Sequence, residues 1–204
     1  YVSGQKSYNG VAILSKKKLN SVTNILNGDR VKQARIISAN TKIEKKNVEI
    51  INIYVPNGNP VNTEKYDYKL NWIDLLIKEI KTKINKGEKL IVGGDFNVIP
   101  ENIDVYDPKK YENDALFKLE IRKKFRTLLN LGLHDVYRYF FKDKEEYTFW
   151  DYMSGSWAKN NGMRIDHFLV SKEILMSIKS ININKKPRSK NKPSDHTPLE
   201  MQIT

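Results

Sequence analysis

An apolar run near the middle of the chain ends in a pair of polar side chains. Residues 89–97 read Lys-Leu-Ile-Val-Gly-Gly-Asp-Phe-Asn, so a predicted strand breaks at two glycines and then presents Asp95 and Asn97. In α/β proteins ligands collect beyond the carboxyl ends of strands, which suits such a pair to a binding or catalytic site. Asp and Asn beside Gly are also ordinary turn residues, so a turn without chemistry is the alternative.

A second acidic residue interrupts an apolar run. Asp166 stands in residues 164–170, Arg-Ile-Asp-His-Phe-Leu-Val, where an unpaired charge would be strongly destabilising. A partner is therefore expected, and His196 in the sequence Ser-Asp-His-Thr-Pro is the best candidate among three histidines. A carboxylate on one imidazole nitrogen fixes the tautomer and leaves the other nitrogen facing a substrate. A histidine with only a structural role is the alternative.

Two further residues could act on a phosphate group. Asp195 suits a hard cation such as Mg²⁺, which takes one or two carboxylates and completes its shell with water and substrate phosphate. One Asp is not a metal site, so other ligands must come from elsewhere. Tyr54 ends a predicted strand before Pro-Asn-Gly, and its phenol could donate to a phosphate oxygen. A turn alone explains Pro-Asn-Gly but not Tyr54.

The composition of the 204 residues limits the possible functions. A net charge of +12, from 36 Lys and Arg against 24 Asp and Glu, favours a polyanionic partner, although a Lys-, Asn- and Ile-rich genome would also produce it. The absence of cysteine excludes disulfides, thiolate metal sites and a cysteine nucleophile. No run approaches the length of a membrane span, so a membrane partner is not expected.

The elements that must position these residues follow from the hydrophobic pattern. Short β-branched runs predict strands at residues 11–14, 48–55, 89–92 and 164–170. One helix is predicted by an apolar stripe at Leu70, Ile73, Ile77, Ile80 and Ile84, with a stop at Gly87. A second, following Asp114, is predicted by Phe117, Ile121, Phe125, Leu128 and Leu129, with a stop at Gly132. Alternating strands and helices favour an α/β layered fold with mixed sheets, forming one domain over residues 1–204.

A basic loop lies between two predicted strands near the end of the chain. Residues 184–193 read Asn-Lys-Lys-Pro-Arg-Ser-Lys-Asn-Lys-Pro. The segment is either a solvated loop or a clamp for phosphates, and in the second case Lys185, Lys186, Arg188 and Lys190 would contribute to DNA binding.

Together, six segments in this order resemble the exonuclease III family of abasic-site endonucleases: Tyr54-Val-Pro-Asn-Gly58, Gly94-Asp-Phe-Asn97, Ile103-Asp-Val-Tyr-Asp-Pro-Lys109, Tyr147-Thr-Phe-Trp-Asp-Tyr152, Gly162-Met-Arg-Ile-Asp-His-Phe-Leu-Val-Ser171 and Ser194-Asp-His196. Family-like sequence runs from about residue 4 to residue 198. The resemblance implies the endonuclease/exonuclease/phosphatase fold, in which two mixed β-sheets pack as a sandwich with helices outside, in four layers.

The resemblance also implies roles for the site residues. His196, paired with Asp166, would act at the scissile phosphate, and Asp95 would handle the proton of the attacking water or the leaving oxygen. Tyr54, Asn57 and Asn97 would contact the phosphate. The metal site would include Asp195, Asp95 and Asn97.

An apolar pocket for a sugar without its base is implied at Phe149, Met163 and Ile165. Such a sugar is cheap to extrude because no base has to be unstacked. Many members carry Trp where Met163 stands, and Met keeps the pocket apolar but flexible, which predicts a less strict preference for abasic sites. Simple core packing of the three residues is the alternative.

The chain departs from the family pattern at its beginning. Members start with a strand bearing an Asn and a segment bearing a Glu metal ligand, and neither stands before Tyr1. The expectation is therefore that the N-terminal strand and helix are absent and that the chain alone cleaves DNA slowly. Glu44 and Glu49 are the first candidates for a replacement ligand.

The leading hypothesis is a base excision repair enzyme that uses Mg²⁺ or Mn²⁺, cleaves duplex DNA 5′ to abasic sites, trims 3′ ends and acts as a monomer. A bacterial source would imply the nucleoid, and a eukaryotic source the nucleus or a DNA-containing organelle. The alternatives are a retroelement-type endonuclease, a phosphatase of the same fold, or a DNA-binding fragment without activity. The segment from Tyr147 to Ser171 argues against the first two.

Overall fold

A computed structural model describes residues 1–203 of the chain. The strands are β1 (Val2–Gly4), β2 (Gly10–Ala12), β3 (Asn20–Thr23), β4 (Ile36–Ile43), β5 (Lys46–Tyr54), β6 (Leu90–Asp95), β7 (Leu133–Asp135), β8 (Asp166–Ser171), β9 (Ile178–Ile183) and β10 (Leu199–Ile203). The α-helices are α1 (Glu64–Asn85), α2 (Leu119–Asn130), α3 (Val136–Phe140) and α4 (Lys172–Leu175).

Six strands form one mixed sheet in the order β3-β4-β5-β6-β8-β7. Only β5 and β6 are parallel in this sheet, and α1 connects them, as a parallel pair requires a crossover. A second, antiparallel sheet consists of β9 and β10, and β1 and β2 form a separate hairpin. The predicted α/β fold with more than one sheet and outer helices is confirmed.

The six-stranded sheet is covered on both faces because its central strands are apolar in both directions. On β5, Ile51 and Ile53 pack with α1 and α2 on one side. Val48 points to the other side and packs with β9 through Ile178 and Ile181. Successive side chains of a strand alternate between faces, so Tyr54 shares the face of Val48. The end of β5 therefore carries its tyrosine away from the helices.

Both predicted helices are present. The helix α1 begins after Thr63 and ends before Gly87, which adopts a left-handed φ of 74°. The helix α2 begins at Leu119, so Phe117 precedes it rather than lying in its first turn. Within residues 1–203 no helix combines the length and the apolar character needed to cross a membrane.

Two strand predictions need correction. The strand predicted at residues 11–14 stops at Ala12. Ile13 still exchanges backbone hydrogen bonds with Tyr1, but the pairing does not extend to Leu14, which is exposed. The strand predicted from residue 164 begins at Asp166. Arg164 instead turns inward and enters an ion network, so its charge, not β pairing, determines its conformation.

A fully buried arginine connects the segments that precede β8. Nε of Arg164 donates to Asp104 at 2.6 Å, and its Nη2 donates to Asp135 at 2.9 Å. Burial opposes the charge on Asp104, but Arg164 and Arg138 outweigh that effect and hold the pKa of Asp104 below its usual range. The network fixes the chain immediately before Asp166.

This network predicts a stability difference between two acidic residues. Asp104→Asn should lower the free energy of unfolding by about 3 to 5 kcal/mol, because it leaves a buried guanidinium without part of its counter-charge. Asp74→Asn, which removes an exposed ion pair with Lys124, should cost about 1 kcal/mol or less. Urea unfolding of both variants tests this, and equal losses would contradict the role given to Arg164.

Candidate active site

Three strands place one polar side chain each in a single row. In the parallel pairing of β5 and β6, Tyr54 lies opposite Asp95. In the antiparallel pairing of β6 and β8, Asp95 lies opposite Asp166. Residues that are paired across a sheet project from the same face. The row lies at the carboxyl end of β5 and β6, as predicted for the polar pair after β6.

His196 completes the row from the loop before β10. Its Nδ1 lies 2.8 Å from Oδ2 of Asp166, so the carboxylate partner predicted for this histidine is confirmed. Its Nε2 lies 3.9 Å from Oδ2 of Asp95 and faces the cleft. Phe149 contacts the imidazole edge to face, with ring centroids 5.0 Å apart. Burial opposes the imidazolium charge, but Asp166, Asp95 and Asp195 outweigh it and raise the pKa of His196 to about 9.

The segment that carries Thr148 holds both partners of this pair. Oγ1 of Thr148 accepts the backbone N–H groups of Ile165 and Asp166 at 3.1 Å each. The backbone carbonyl of Thr148 accepts the N–H of Thr197 at 2.8 Å. Thr148 was not among the predicted site residues, because it acts through hydrogen bonds to backbone groups of segments far apart in the chain.

Asp95 is a half-buried carboxylate with close polar partners. Its Oδ1 accepts the backbone N–H of Asn97 at 2.8 Å, and its Oδ2 accepts the side-chain Nδ2 of Asn97 at 3.0 Å. Burial and repulsion from Asp166 raise the pKa of Asp95 to about 7, against the opposing effect of His196. A carboxyl group with a pKa near neutrality is suited to accept or supply a proton.

The side-chain amide of Asn97 is hydrogen-bonded to neighbouring residues. Its Nδ2 donates to Asp95 and also to the carbonyl of Val55 at 2.9 Å, so both amide hydrogens are used. Its Oδ1 accepts from Nδ2 of Asn57 at 3.3 Å. Asn97 therefore positions Asp95 in this structure, and its direct contact with phosphate stays a prediction. Asn57 is exposed and retains one amide hydrogen for a ligand.

A lysine that the sequence analysis missed lies beneath these residues. Lys69 of α1 has no exposed surface, and its Nζ donates to the carbonyls of Asn57 at 2.9 Å and Asn97 at 2.6 Å. Burial lowers the pKa of Lys69 to about 7, against the opposing effect of Asp114 and Asp95. The signal in the sequence was a lysine at a position on the buried apolar face of the helix α1.

The row opens onto a cleft of about 550 Å³, which Asn52, Asp195 and the strand β2 also line. Carboxylate oxygens are the ligands that hard divalent cations prefer, so the donors fit such a cation in kind. The number of donors does not fit, because no group of three or more acidic or histidine side chains within residues 1–203 is arranged so that it could hold a metal ion. Asp95 and Asn97 bind each other, so Asp195 is the carboxylate best placed to hold a cation.

The two glutamates suggested as replacement ligands lie elsewhere. Glu49 stands near the start of β5, at the opposite end of the strand from Tyr54, and its carboxylate is paired with Lys83 at 2.8 Å. Glu44 lies in the turn between β4 and β5. The suggestion is therefore wrong, because strand direction separates both residues from the cleft.

The three residues assigned to an apolar pocket lie beside one another. Phe149 and Met163 form a β-bridge, and Phe149 forms another with His196. Met163 and Ile165 are almost fully buried in a cluster with Ile99 and neighbouring side chains, whereas Phe149 is half-buried. Phe149 is thus the member that a ligand in the cleft can reach without rearrangement. The pocket itself stays a prediction.

The basic loop does not present its charges equally. Arg188 is buried, its Nη2 donates to the carbonyl of Trp150 at 3.1 Å, and its guanidinium lies over the rings of Tyr152 and Trp157. Nζ of Lys185 lies 3.6 Å from Oε1 of Glu146. Arg188 is therefore not a free phosphate ligand. The exposed lysines of this loop are Lys186, Lys190 and Lys192.

Comparison with known proteins gives consistent results. The chain is 35% identical over 203 residues to a DNA-(apurinic or apyrimidinic site) endonuclease of Dictyostelium discoideum, covering 98% of this chain and 54% of that protein. It is 31% identical to an exodeoxyribonuclease of Bacillus subtilis, covering 98% and 76%. The chain thus spans about half of the first relative and about three quarters of the second.

A solved structure has the same fold. The 3′ phosphatase NExo from Neisseria, bound to a product DNA hairpin, superposes with a TM-score of 0.92 at 34% identity, over 100% of this chain and 78% of that one. The model of the Endonuclease/Exonuclease/phosphatase family matches residues 1–196. The chain therefore belongs to the endonuclease/exonuclease/phosphatase family.

Proposed function

We propose that this chain carries the catalytic residues of a DNA repair phosphodiesterase that cleaves duplex DNA 5′ to abasic sites and trims 3′ ends. The observation that carries the proposal is the pairing of His196 with Asp166 at 2.8 Å, with Asp95 and Tyr54 in the same row. This arrangement combines a charged donor, a proton-transfer group and a phenol on one face of a cleft.

Each of these residues has a separate role in phosphodiester cleavage. Asp166 holds Nδ1–H of His196 and keeps the imidazolium charged, so Nε2–H can donate to a phosphate oxygen as negative charge develops on it. Asp95 takes a proton from the attacking water, which forms its bond to phosphorus while the bond to the leaving sugar oxygen breaks. The leaving oxygen takes up a proton from solvent. Tyr54 donates to another phosphate oxygen. Asn57 assists by binding the phosphate.

The family depends on divalent metals, and we propose Mg²⁺ or Mn²⁺ as the cation here. Asp195 is the residue proposed to hold it, with the Asp95 carboxylate nearby. When bound, such a cation neutralises phosphate charge.

Three observations support DNA as the substrate. The net charge of +12 favours a polyanion, and two relatives are named for abasic-site and exodeoxyribonuclease activity. The structure of NExo holds a product DNA hairpin and is named for a 3′ phosphatase, which favours 3′ termini as a second substrate. Phe149, with Met163 and Ile165 behind it, is proposed to receive the sugar of an abasic site.

Loss of either member of the His196 and Asp166 pair should abolish most turnover. His196→Ala and Asp166→Asn should each lower kcat on abasic duplex at least about a hundredfold, because each removes the charged donor or the group that orients it. Cleavage of a labelled abasic duplex in saturating Mg²⁺ measures this. The matched control is His134→Ala in the edge strand β7, which should retain the wild-type kcat. Near wild-type turnover in either paired variant would rule out the assignment.

Salt dependence should distinguish the exposed lysines of the basic loop from lysines elsewhere. Replacing Lys186, Lys190 and Lys192 by Ala should reduce the slope of log affinity against log salt by up to about 0.9 for each phosphate that is no longer neutralised. The control replaces Lys78, Lys81 and Lys86, exposed lysines on and after α1, and should leave the slope unchanged. Equal slopes for both triple variants would identify the loop as a solvated segment without a role in binding.

A further inference from the structure

Lys69 lies where the two loops that carry the predicted phosphate ligands approach each other. One loop follows β5 and contains Asn57, and the other follows β6 and contains Asn97. The ammonium group of Lys69 donates to the backbone carbonyl of each, at 2.9 and 2.6 Å. A single side chain of α1 thus connects the two loops through hydrogen bonds.

Burial of this cation is costly and is not required for packing. Lys69 shares the buried face of α1 with Tyr66, Trp72 and Ile73. An apolar side chain of similar length would fill the position without the desolvation cost of an ammonium group. What only a donor can contribute here is the pair of charge-assisted hydrogen bonds to the loops.

The bond to Asn97 acts on a residue with an unusual backbone. Asn97 has a φ of 47°, in the left-handed region, which costs free energy for any residue with a side chain. In this conformation its carbonyl faces Lys69 while its backbone N–H and side-chain Nδ2 both face Asp95. A change at Lys69 is therefore transmitted to the orientation of Asp95.

Gly58 leaves the space that Lys69 occupies. A Cβ atom at this position would lie 2.6 Å from Cδ of Lys69, closer than real Cβ atoms approach, and a tight 3.1 Å from its Cβ. Gly58 also has a left-handed φ of 85°. Any side chain at this position would push Lys69 away from the two carbonyls.

We propose that Lys69 is a positioning residue that locks the two loops together and thereby holds Asp95 in the orientation needed for cleavage. This inference rests on the proposed function, but the positioning itself can be measured without cleavage. Lys69 has no exposed surface, so it contributes through Asn57 and Asn97 and not through contact with DNA.

The test compares Lys69→Met, which removes the donors, with Lys69→Arg, which retains them. Lys69→Met should lower kcat about a hundredfold with unchanged duplex affinity, because displacement of a catalytic group by about 1 Å has an effect of that size. Lys69→Arg should retain most of the wild-type kcat. Ile80→Val, on the same buried face of α1 but distant from the loops, serves as the control for reduced stability.

A second pair of variants tests the same contact if Lys69→Met fails to fold. Gly58→Ala should reproduce the fall in kcat. Gly87→Ala is the matched control, because Gly87 has a similar φ of 74° and an added Cβ there meets nothing within 4 Å. The two substitutions impose similar backbone strain, so a difference between them reports the displacement of Lys69.

Amide hydrogen exchange at Asn97 separates this proposal from the proposed function. Exchange of its backbone N–H, which bonds to Asp95, should accelerate in Lys69→Met and Gly58→Ala but not in the controls. If the wild-type chain does not cleave DNA, the proposed function fails while the exchange result still decides the positioning role. Unchanged exchange at Asn97, or a fall in kcat no larger than that of the stability control, would overturn the proposal.

Discussion

Backbone pairing on both sides of β6 is the constraint on which the site depends. The strand bonds in parallel to β5 and antiparallel to β8, and these two registers alone bring Tyr54 and Asp166 beside Asp95. Close pairing requires Gly94, because a Cβ atom there would lie 2.0 Å from the carbonyl oxygen of Ile53. The two glycines before Asp95 therefore do more than end a strand. They allow three strands to meet at the point where the chemistry is proposed to occur.

The sequence correctly predicted those parts of the site in which one residue would be destabilising unless a second residue compensated for it. Asp166 stands in an apolar strand, so a counterpart was required, and His196 provides it. Helix periodicity likewise predicted α1 and α2. The predicted apolar face of α1 was displaced from the buried one, however. Ile73 and Ile80 of the predicted stripe are buried, but Leu70, Ile77 and Ile84 are only half-buried. The buried face instead extends over Tyr66, Lys69, Trp72 and Leu76.

That displacement explains why Lys69 was missed. Aliphatic residues on the flank of α1 have the same period as those on its buried face, and tertiary packing decides which row is covered. The ion network around Arg164 was missed for a related reason. Its partners Asp104 and Asp135 lie in segments 60 and 29 residues away, and no sequence pattern links them. The ion network could not be found until the strands were aligned.

Arg188 illustrates how a charged residue in a basic loop can serve structure instead of binding. Its guanidinium lies over Tyr152 and Trp157, and Tyr152 in turn donates through its hydroxyl to the carbonyl of Pro193 at 2.7 Å. Residues 151–161 and residues 184–193 are thereby fastened to each other. Because the second segment leads directly into Asp195 and His196, a displacement of residues 151–161 would either break these contacts or act on the backbone that carries the histidine.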